Sequence, residues 1–223
     1  FIGHLNHESL TNISKIYDLA QFYEDIPCQY TVKQNKYSRS KTGRLFIHPS
    51  ELLCHESISQ ISTYDLFTDL CHSYFRLPPI LCQINGWVSN YIENQDPIEI
   101  RKINEWNARY PHIDFAGLKF LKVFIFLDSV NDEDGPFYYW PYSNKHNCRF
   151  TSDGRYEYSE ITSLFGEPTK FVSSIPGSIF IADTSNYHCD GIVSPNGFRR
   201  VLQLEYCIPG LRQPNSLEPP ISL

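Results

Sequence analysis

At Pro78-Pro79 the spacing of apolar residues along this chain changes, and that change separates what can fold as helix from what must fold as sheet. Before it, Leu10, Ile13, Ile16, Leu19 and Phe22 recur at intervals of three, which lays one apolar stripe on a helix, and Asp25-Ile26-Pro27 supplies its end. Ser50 ahead of Glu51 and Thr63 ahead of Tyr64 are of the types that cap helix N-termini, so two more helices are expected, the second running to about Phe75. Beyond the prolines, runs suited to strands cover 80–89, 109–115, 120–127, 137–142, 170–173, 178–183 and 199–207. Turn chemistry separates them at 131–135, 152–154, 176–177 and 195–197. Helices first and many short strands afterwards define an α+β domain whose strands form a sandwich or barrel. The length of 223 residues suits a single domain, with a helical part over 1–78, a strand-built core over 79–207 and a Pro- and Ser-containing tail over 208–223.

Composition narrows the function. A formal net charge of −6 without any run of Lys or Arg argues against nucleic-acid binding. No apolar run reaches the roughly 18 residues that span a bilayer, and no signal-peptide pattern opens the chain. Seven cysteines, an odd number at irregular spacing without a C-x-x-C pair, fit free thiols in the cytoplasm or another reducing compartment. The chain starts at Phe1 and contains no Met, so residues of a longer natural chain are expected to be absent from this sequence.

His112-Ile113-Asp114 is the first candidate for chemistry. Residues two apart on an extended strand share a face, so the imidazole and the carboxylate project together with Ile113 turned into packing behind them. His188, past another expected strand, brings a second imidazole. Two His and one carboxylate make the facial triad that holds non-haem Fe(II) with open coordination positions. The competing account of His112 and Asp114 is a strand-end hydrogen bond. For His188 it is a surface loop histidine, or a thiol pair with Cys189. The pair is disfavoured because adjacent side chains on extended backbone point apart. Cys189, beside a metal ligand, is expected to be open to oxidation.

The surroundings are more specific than the triad. The segment PHIDFAGLKFLKVFIFLDSVNDEDGPFYYWPYSNKH from Pro111, and GSIFIADTSNYH from Gly177 to His188, resemble the phytanoyl-CoA dioxygenase family of Fe(II)/2-oxoglutarate oxygenases. The resemblance covers roughly Pro79 to Cys207 and is thin before residue 75; Pro141-Tyr142-Ser143-Asn144-Lys145 departs from the family's Pro-Gly-Ser-His-like turn. It implies a double-stranded β-helix (a jelly-roll, cupin-like barrel) with the N-terminal helices packed on one face. It also implies Fe(II) on His112, Asp114 and His188, with 2-oxoglutarate and O2 as co-substrates. Arg199, eleven residues after His188, stands where the family binds the far carboxylate of 2-oxoglutarate. The implied reaction is hydroxylation of a small organic substrate with release of succinate and CO2. An aspartate at 114, where related halogenases lack the ligand, implies oxygen insertion.

Further candidates follow from strand parity. Of Arg199 and Arg200 one must face inward, where a guanidinium needs an anion and pairs a carboxylate bidentately. Lys122 shares a face with Phe124 and Phe126, opposite Leu121, Val123 and Ile125; it either helps hold a carboxylate of co-substrate or substrate or reaches out at the strand end. Asn85, Trp87 and Ser89 share one parity; in the family an equivalent strand lines the pocket, so the resemblance implies that Asn85 or Ser89 touches the co-substrate, while Trp87 suits core packing or the substrate pocket. Phe126, Tyr139 and Asp190 complete the pocket candidates. An acidic chain with aromatic pocket candidates slightly favours a small apolar or zwitterionic substrate. Two rival readings are a non-catalytic ligand- or metal-binding jelly-roll and a cupin-type dioxygenase that does not use 2-oxoglutarate.

Overall fold

A computed structural model of the chain describes residues 1–26, 29–33, 43–92, 108–114, 119–145 and 154–209. The elements run β1 (Gly3–His4), α1 (His7–Leu19), β2 (Phe22–Ile26), β3 (Gln29–Lys33), β4 (Arg44–Ile47), α2 (Pro49–Leu53), α3 (Glu56–Ser62), α4 (Asp65–Phe75) and β5 (Ile80–Asn90). They continue through β6 (Phe120–Phe126), β7 (Phe137–Tyr139), α5 (Tyr158–Phe165), β8 (Thr169–Phe171), β9 (Ser178–Ala182), β10 (His188–Asp190) and β11 (Phe198–Cys207). The strands form an eight-stranded sheet in the order β1-β9-β6-β11-β5-β4-β2-β3 and a three-stranded sheet in the order β10-β7-β8. Antiparallel pairing runs through both sheets.

Alternation along the strands divides the large sheet into two faces. Leu121, Val123 and Ile125 of β6 join Leu202, Leu204 and Tyr206 of β11 and Ile84 and Val88 of β5 in one core, which α1 to α4 complete with Ile13, Leu52, Ile58 and Phe67. The opposite face carries Phe124, Phe126, Trp87, Phe180 and Val201, which pack with Phe137 of the small sheet. The helices therefore cover one face of the large sheet, and the space between the two sheets is left for a site. Gly86 of β5 permits the close approach of the helices, because a Cβ there would lie 2.7 Å from the Tyr17 hydroxyl and 3.1 Å from a Leu52 methyl. That hydroxyl donates to the Val201 carbonyl at 2.5 Å, tying α1 to β11.

The N-terminal part is not all helical. Helix α1 is capped by Asn6, whose side chain accepts from the Ser9 N–H at 2.8 Å, and stops at Leu19. Phe22, expected on its apolar stripe, instead opens β2 and is buried against β4. Leu19 closes the helix but is 85% exposed and adds nothing to its buried face, and Phe22 fell on the helical period without belonging to the helix. Helix α2 is capped by His48 with Pro49 in its first turn, rather than by Ser50, and the position ahead of α4 is held by Tyr64, without a side-chain capping bond, rather than by Thr63. The strand expected over 109–115 is reduced, within the described residues, to one bridge between His112 and His188. Phe115 and most of the expected tail (residues 210–223) lie outside the described residues.

The expectation of seven free thiols is corrected. Cys82 of β5 and Cys207 of β11 form a disulfide. The two strands are neighbours whose register shifts between Glu205 and Tyr206, and this brings the two side chains together. Closing a loop with a sequence separation of 125 restricts the unfolded chain, in the chain-entropy picture, by roughly 4–5 kcal/mol. The cysteine count therefore no longer argues for a reducing compartment. Cys54, Cys71 and Cys189 are free, while Cys28 and Cys148 lie outside the described residues. Among the described residues no helix is long and apolar enough to cross a membrane.

Candidate metal centre

His112 and His188 exchange backbone hydrogen bonds, each N–H donating to the other's carbonyl at 3.0 Å, and the Asp114 N–H donates to the Thr184 carbonyl at 2.8 Å. This short lattice brings the imidazole centroids to 4.3 Å from each other. Asp114 Oδ1 lies 3.6 Å from His112 Nε2, and Oδ2 lies 3.4 Å from His188 Nε2. Ligand atoms from all three residues fall within 4.8 Å of one another, the one such cluster of at least three His, Cys, Asp or Glu among the described residues.

The donor set fits a divalent ion. His112 Nδ1 sits 2.9 Å from the Tyr110 carbonyl and His188 Nδ1 2.9 Å from the Asn186 carbonyl. A carbonyl only accepts, so each Nδ1 carries the proton and each Nε2 presents a lone pair toward Asp114. Burial, the larger influence, and the neighbouring His188 hold the His112 imidazole well below its ordinary pKa, which keeps it in the neutral, metal-binding form. Burial alone would raise the Asp114 pKa; Lys122 and the two imidazoles outweigh it and keep the carboxyl well below its ordinary range.

Lys122 answers the question its strand position raised. Its Nζ donates to Asp114 Oδ2 at 2.7 Å and lies 3.5 Å from Glu205 Oε2, so it does not reach out to solvent. Burial taken alone would lower its pKa, but the two carboxylates raise it. The bond to Oδ2 orients the Asp114 carboxylate, with Oδ1 turned to the His112 side.

An arginine cluster occupies the other end of the inter-sheet space. Arg199 is 1% exposed; its Nη2 lies 2.7 Å from Asp190 Oδ2, its Nη1 donates to the Gly135 carbonyl, and its guanidinium lies 5.5 Å from the Phe126 ring centroid. Arg44 of β4 donates to the same Asp190 oxygen and stacks over Trp87 at 5.2 Å. The register explains the convergence, since Ser89 of β5 is flanked by Arg199 on β11 and by Arg44 on β4. Burial would raise the Asp190 pKa, but Arg199 and Arg44 bring it below its usual range. Arg109 stands in the same field, and burial and then Arg44 lower its guanidinium to about 10. Two guanidiniums thus converge on one carboxylate. Three buried donors here, Ser89 Oγ, Trp87 Nε1 and Arg199 Nε, have no hydrogen-bond partner among the described residues, which is costly unless a further group supplies an acceptor.

A cavity of about 400 Å³ joins these groups. It is lined by the three triad residues and by Lys122, Asn85, Trp87 and Asp190 of the expected set, while Arg199, Ser89, Phe126 and Tyr139 stand behind its wall. Tyr139 donates instead to the Asp183 carbonyl at 3.2 Å, and Phe126 is core. Arg200 points to the other face of β11, where it pairs with Asp128 and Asp18. Cys189, between His188 and Asp190 on β10, faces away into a cluster with Trp140, Tyr156, Ile161 and Tyr187. Burial pushes its thiol pKa far up, so the expected sensitivity to oxidation is corrected. Sequence reasoning missed Arg44, Gln83, Gln203 and Glu205. Gln203 and Glu205 could have been found from their shared parity with Arg199, whereas Arg44 lay in a stretch read as helical.

No protein-family model and no curated protein sequence matches the chain. Solved structures do match in fold. SnoN, a non-haem α-ketoglutarate-dependent epimerase of nogalamycin biosynthesis, aligns over 98% of this chain and 85% of its own at 13% identity and a TM-score of 0.64. HygX from Streptomyces hygroscopicus, solved with nickel and 2-oxoglutarate, aligns over 94% of this chain and 82% of its own at 11% identity and a TM-score of 0.66. The carbocyclase SnoK aligns over 91% of this chain and 76% of its own at 10% identity and a TM-score of 0.58.

Proposed function

We propose that the chain is a non-haem Fe(II)- and 2-oxoglutarate-dependent oxygenase, related to the phytanoyl-CoA dioxygenase-like enzymes, that hydroxylates a small organic substrate within a double-stranded β-helix made by the two sheets. One observation carries the reading. One cavity is lined both by the two-His, one-carboxylate cluster and by Arg44 and Asp190 of the arginine cluster, with Arg199 and Ser89 just behind its wall. A dicarboxylic keto-acid has the complementary form, a chelating head for the metal and a distant carboxylate for the guanidiniums. The fold agrees, since SnoN was also solved with Fe3+ and α-ketoglutarate, and HygX with 2-oxoglutarate and hygromycin B.

His112, His188 and Asp114 would hold the metal, and Lys122 would keep the Asp114 carboxylate turned toward it. Arg199, with Arg44 and the hydroxyl of Ser89, would hold the far carboxylate of the co-substrate, while Asp190 keeps both guanidiniums aimed. When bound, iron and 2-oxoglutarate supply the oxidising chemistry with O2, and the co-substrate leaves as succinate and CO2. Phe124, Phe137 and Trp87 line the space beside the triad and limit water there. A cupin-type enzyme without 2-oxoglutarate, or a ligand-binding barrel, would have no use for the buried arginine cluster beside the triad. Protein supplied with Fe(II), ascorbate, O2 and 2-oxoglutarate is expected to release succinate slowly even without a prime substrate. Succinate no greater than in an iron-free control would count against the proposal.

A further inference from the structure

The inward face of the large sheet does not end at the triad. Beyond Asp114 it carries Gln83 and Asn85 on β5, Gln203 and Glu205 on β11, and Lys122 on β6, with Asn85 opposite Gln203, and Glu205 between Gln83 and Lys122. Gln83 Nε2 donates to Asn85 Oδ1 at 3.3 Å, and Asn85 Nδ2 donates to Gln203 Oε1 at 3.1 Å. The chain of amides thus runs in one direction. Gln83, Asn85 and Gln203, the last of them 6% exposed, all line the cavity, where a ligand can meet their amide groups. A buried carboxamide at Gln203 and half-buried ones at Gln83 and Asn85, on a sheet whose neighbouring inward positions are Phe124, Trp87 and Val201, are costly unless something completes their bonding. Packing alone would have favoured apolar residues at these places.

The position of this ladder separates it from the co-substrate. Gln203 stands four residues along β11 from Arg199, roughly 13 Å of strand, with the triad side of the cavity alongside. A five-carbon diacid held by Arg199 and the triad does not extend over the amides as well. The charge is also distinctive. The three amides of Gln83, Asn85 and Gln203 carry no charge while offering both donors and acceptors. Hydroxyl groups, each able to donate and accept, match that mixture; an acyl chain or a second carboxylate does not.

We infer that the ladder of Gln83, Asn85 and Gln203 is the subsite for the prime substrate, and that this substrate is an uncharged polyhydroxylated molecule presenting at least two hydroxyl groups. The inference rests on the proposed placement of metal and 2-oxoglutarate, and it replaces the small apolar or zwitterionic molecule expected from composition. Saturation-transfer NMR tests it on the full chain, both metal-free and loaded with Zn(II) as a diamagnetic substitute together with 2-oxoglutarate. The probes are myo-inositol and methyl glucoside, with hexanoate and proline as the apolar and zwitterionic comparisons. Both polyols are expected to receive saturation in both forms of the protein, and Gln203→Leu, nearly isosteric, to weaken them about tenfold or more while 2-oxoglutarate binding stays within about twofold. A second variant, Gln83→Leu, guards against a folding defect in the first. Hexanoate or proline binding as well as the polyols, polyols that ignore both variants, or no polyol binding would overturn the subsite. Zn(II)-independent 2-oxoglutarate binding would instead overturn the metal reading, while the metal-free arm still judges the ladder.

Discussion

Asp114→Ala is expected to abolish iron-dependent succinate formation and to weaken Fe(II) binding by about 100-fold or more, since loss of an outer partner of a metal ligand alone costs 10–100-fold. The fold should survive, because Lys122 keeps Glu205 as its partner and the backbone bond from residue 114 to Thr184 does not need the side chain. His112→Ala should do the same through loss of a neutral Nε2 ligand. Equilibrium dialysis with Fe(II) or Mn(II) and a succinate assay check both variants, and circular dichroism checks the fold. Wild-type metal affinity in either variant would remove the triad from the account.

Arg199→Ala is the second large effect, and it should be selective. The metal ligands stay in place, so Fe(II) affinity should remain near that of wild type. The far carboxylate of 2-oxoglutarate would lose a buried, charge-assisted partner at a cost of about 2–5 kcal/mol, which at about 1.4 kcal/mol per tenfold is a rise in apparent 2-oxoglutarate requirement of roughly 30-fold or more. Arg44 remains on Asp190 and should retain part of the anchoring, so Arg44→Ala combined with Arg199→Ala should weaken the co-substrate further than either change alone. Arg200→Ala removes an ion pair with Asp128 and Asp18 on the helix-covered face and should leave 2-oxoglutarate affinity unchanged. Isothermal titration with 2-oxoglutarate separates the neighbours. Equal effects of Arg199→Ala and Arg200→Ala would contradict the strand register, and no effect of either would remove 2-oxoglutarate.

What could be read from the sequence follows the range of each physical signal. Alternation on β6 placed Leu121, Val123 and Ile125 opposite Lys122, Phe124 and Phe126, because a strand buried on both faces still obeys a period of two. The same rule separates Arg199 from Arg200. The N-terminal strands could not be read in this way: β4 is four residues long and its place beside β5 is set by partners in the fold, so Arg44 gave no local sign of its role. Phe22 fell on the helical period by coincidence and was claimed by β2. The Cys82–Cys207 bond depends on neighbouring strands and a register shift far apart in the chain, whereas an odd cysteine count can only address the whole set. The amides of the ladder stood in plain view on β5 and β11, but their meaning depended on the pairing of those two strands.

The central claim is that one cavity holds a metal and a keto-acid together. Anaerobic titration of the protein with Fe(II), with and without 2-oxoglutarate, tests it most directly. The account predicts a weak visible absorption band that develops only when protein, Fe(II) and 2-oxoglutarate are all present, saturates at one equivalent of iron, and is lost in His112→Ala and Asp114→Ala. No band, or an unchanged band in those two variants, would contradict it.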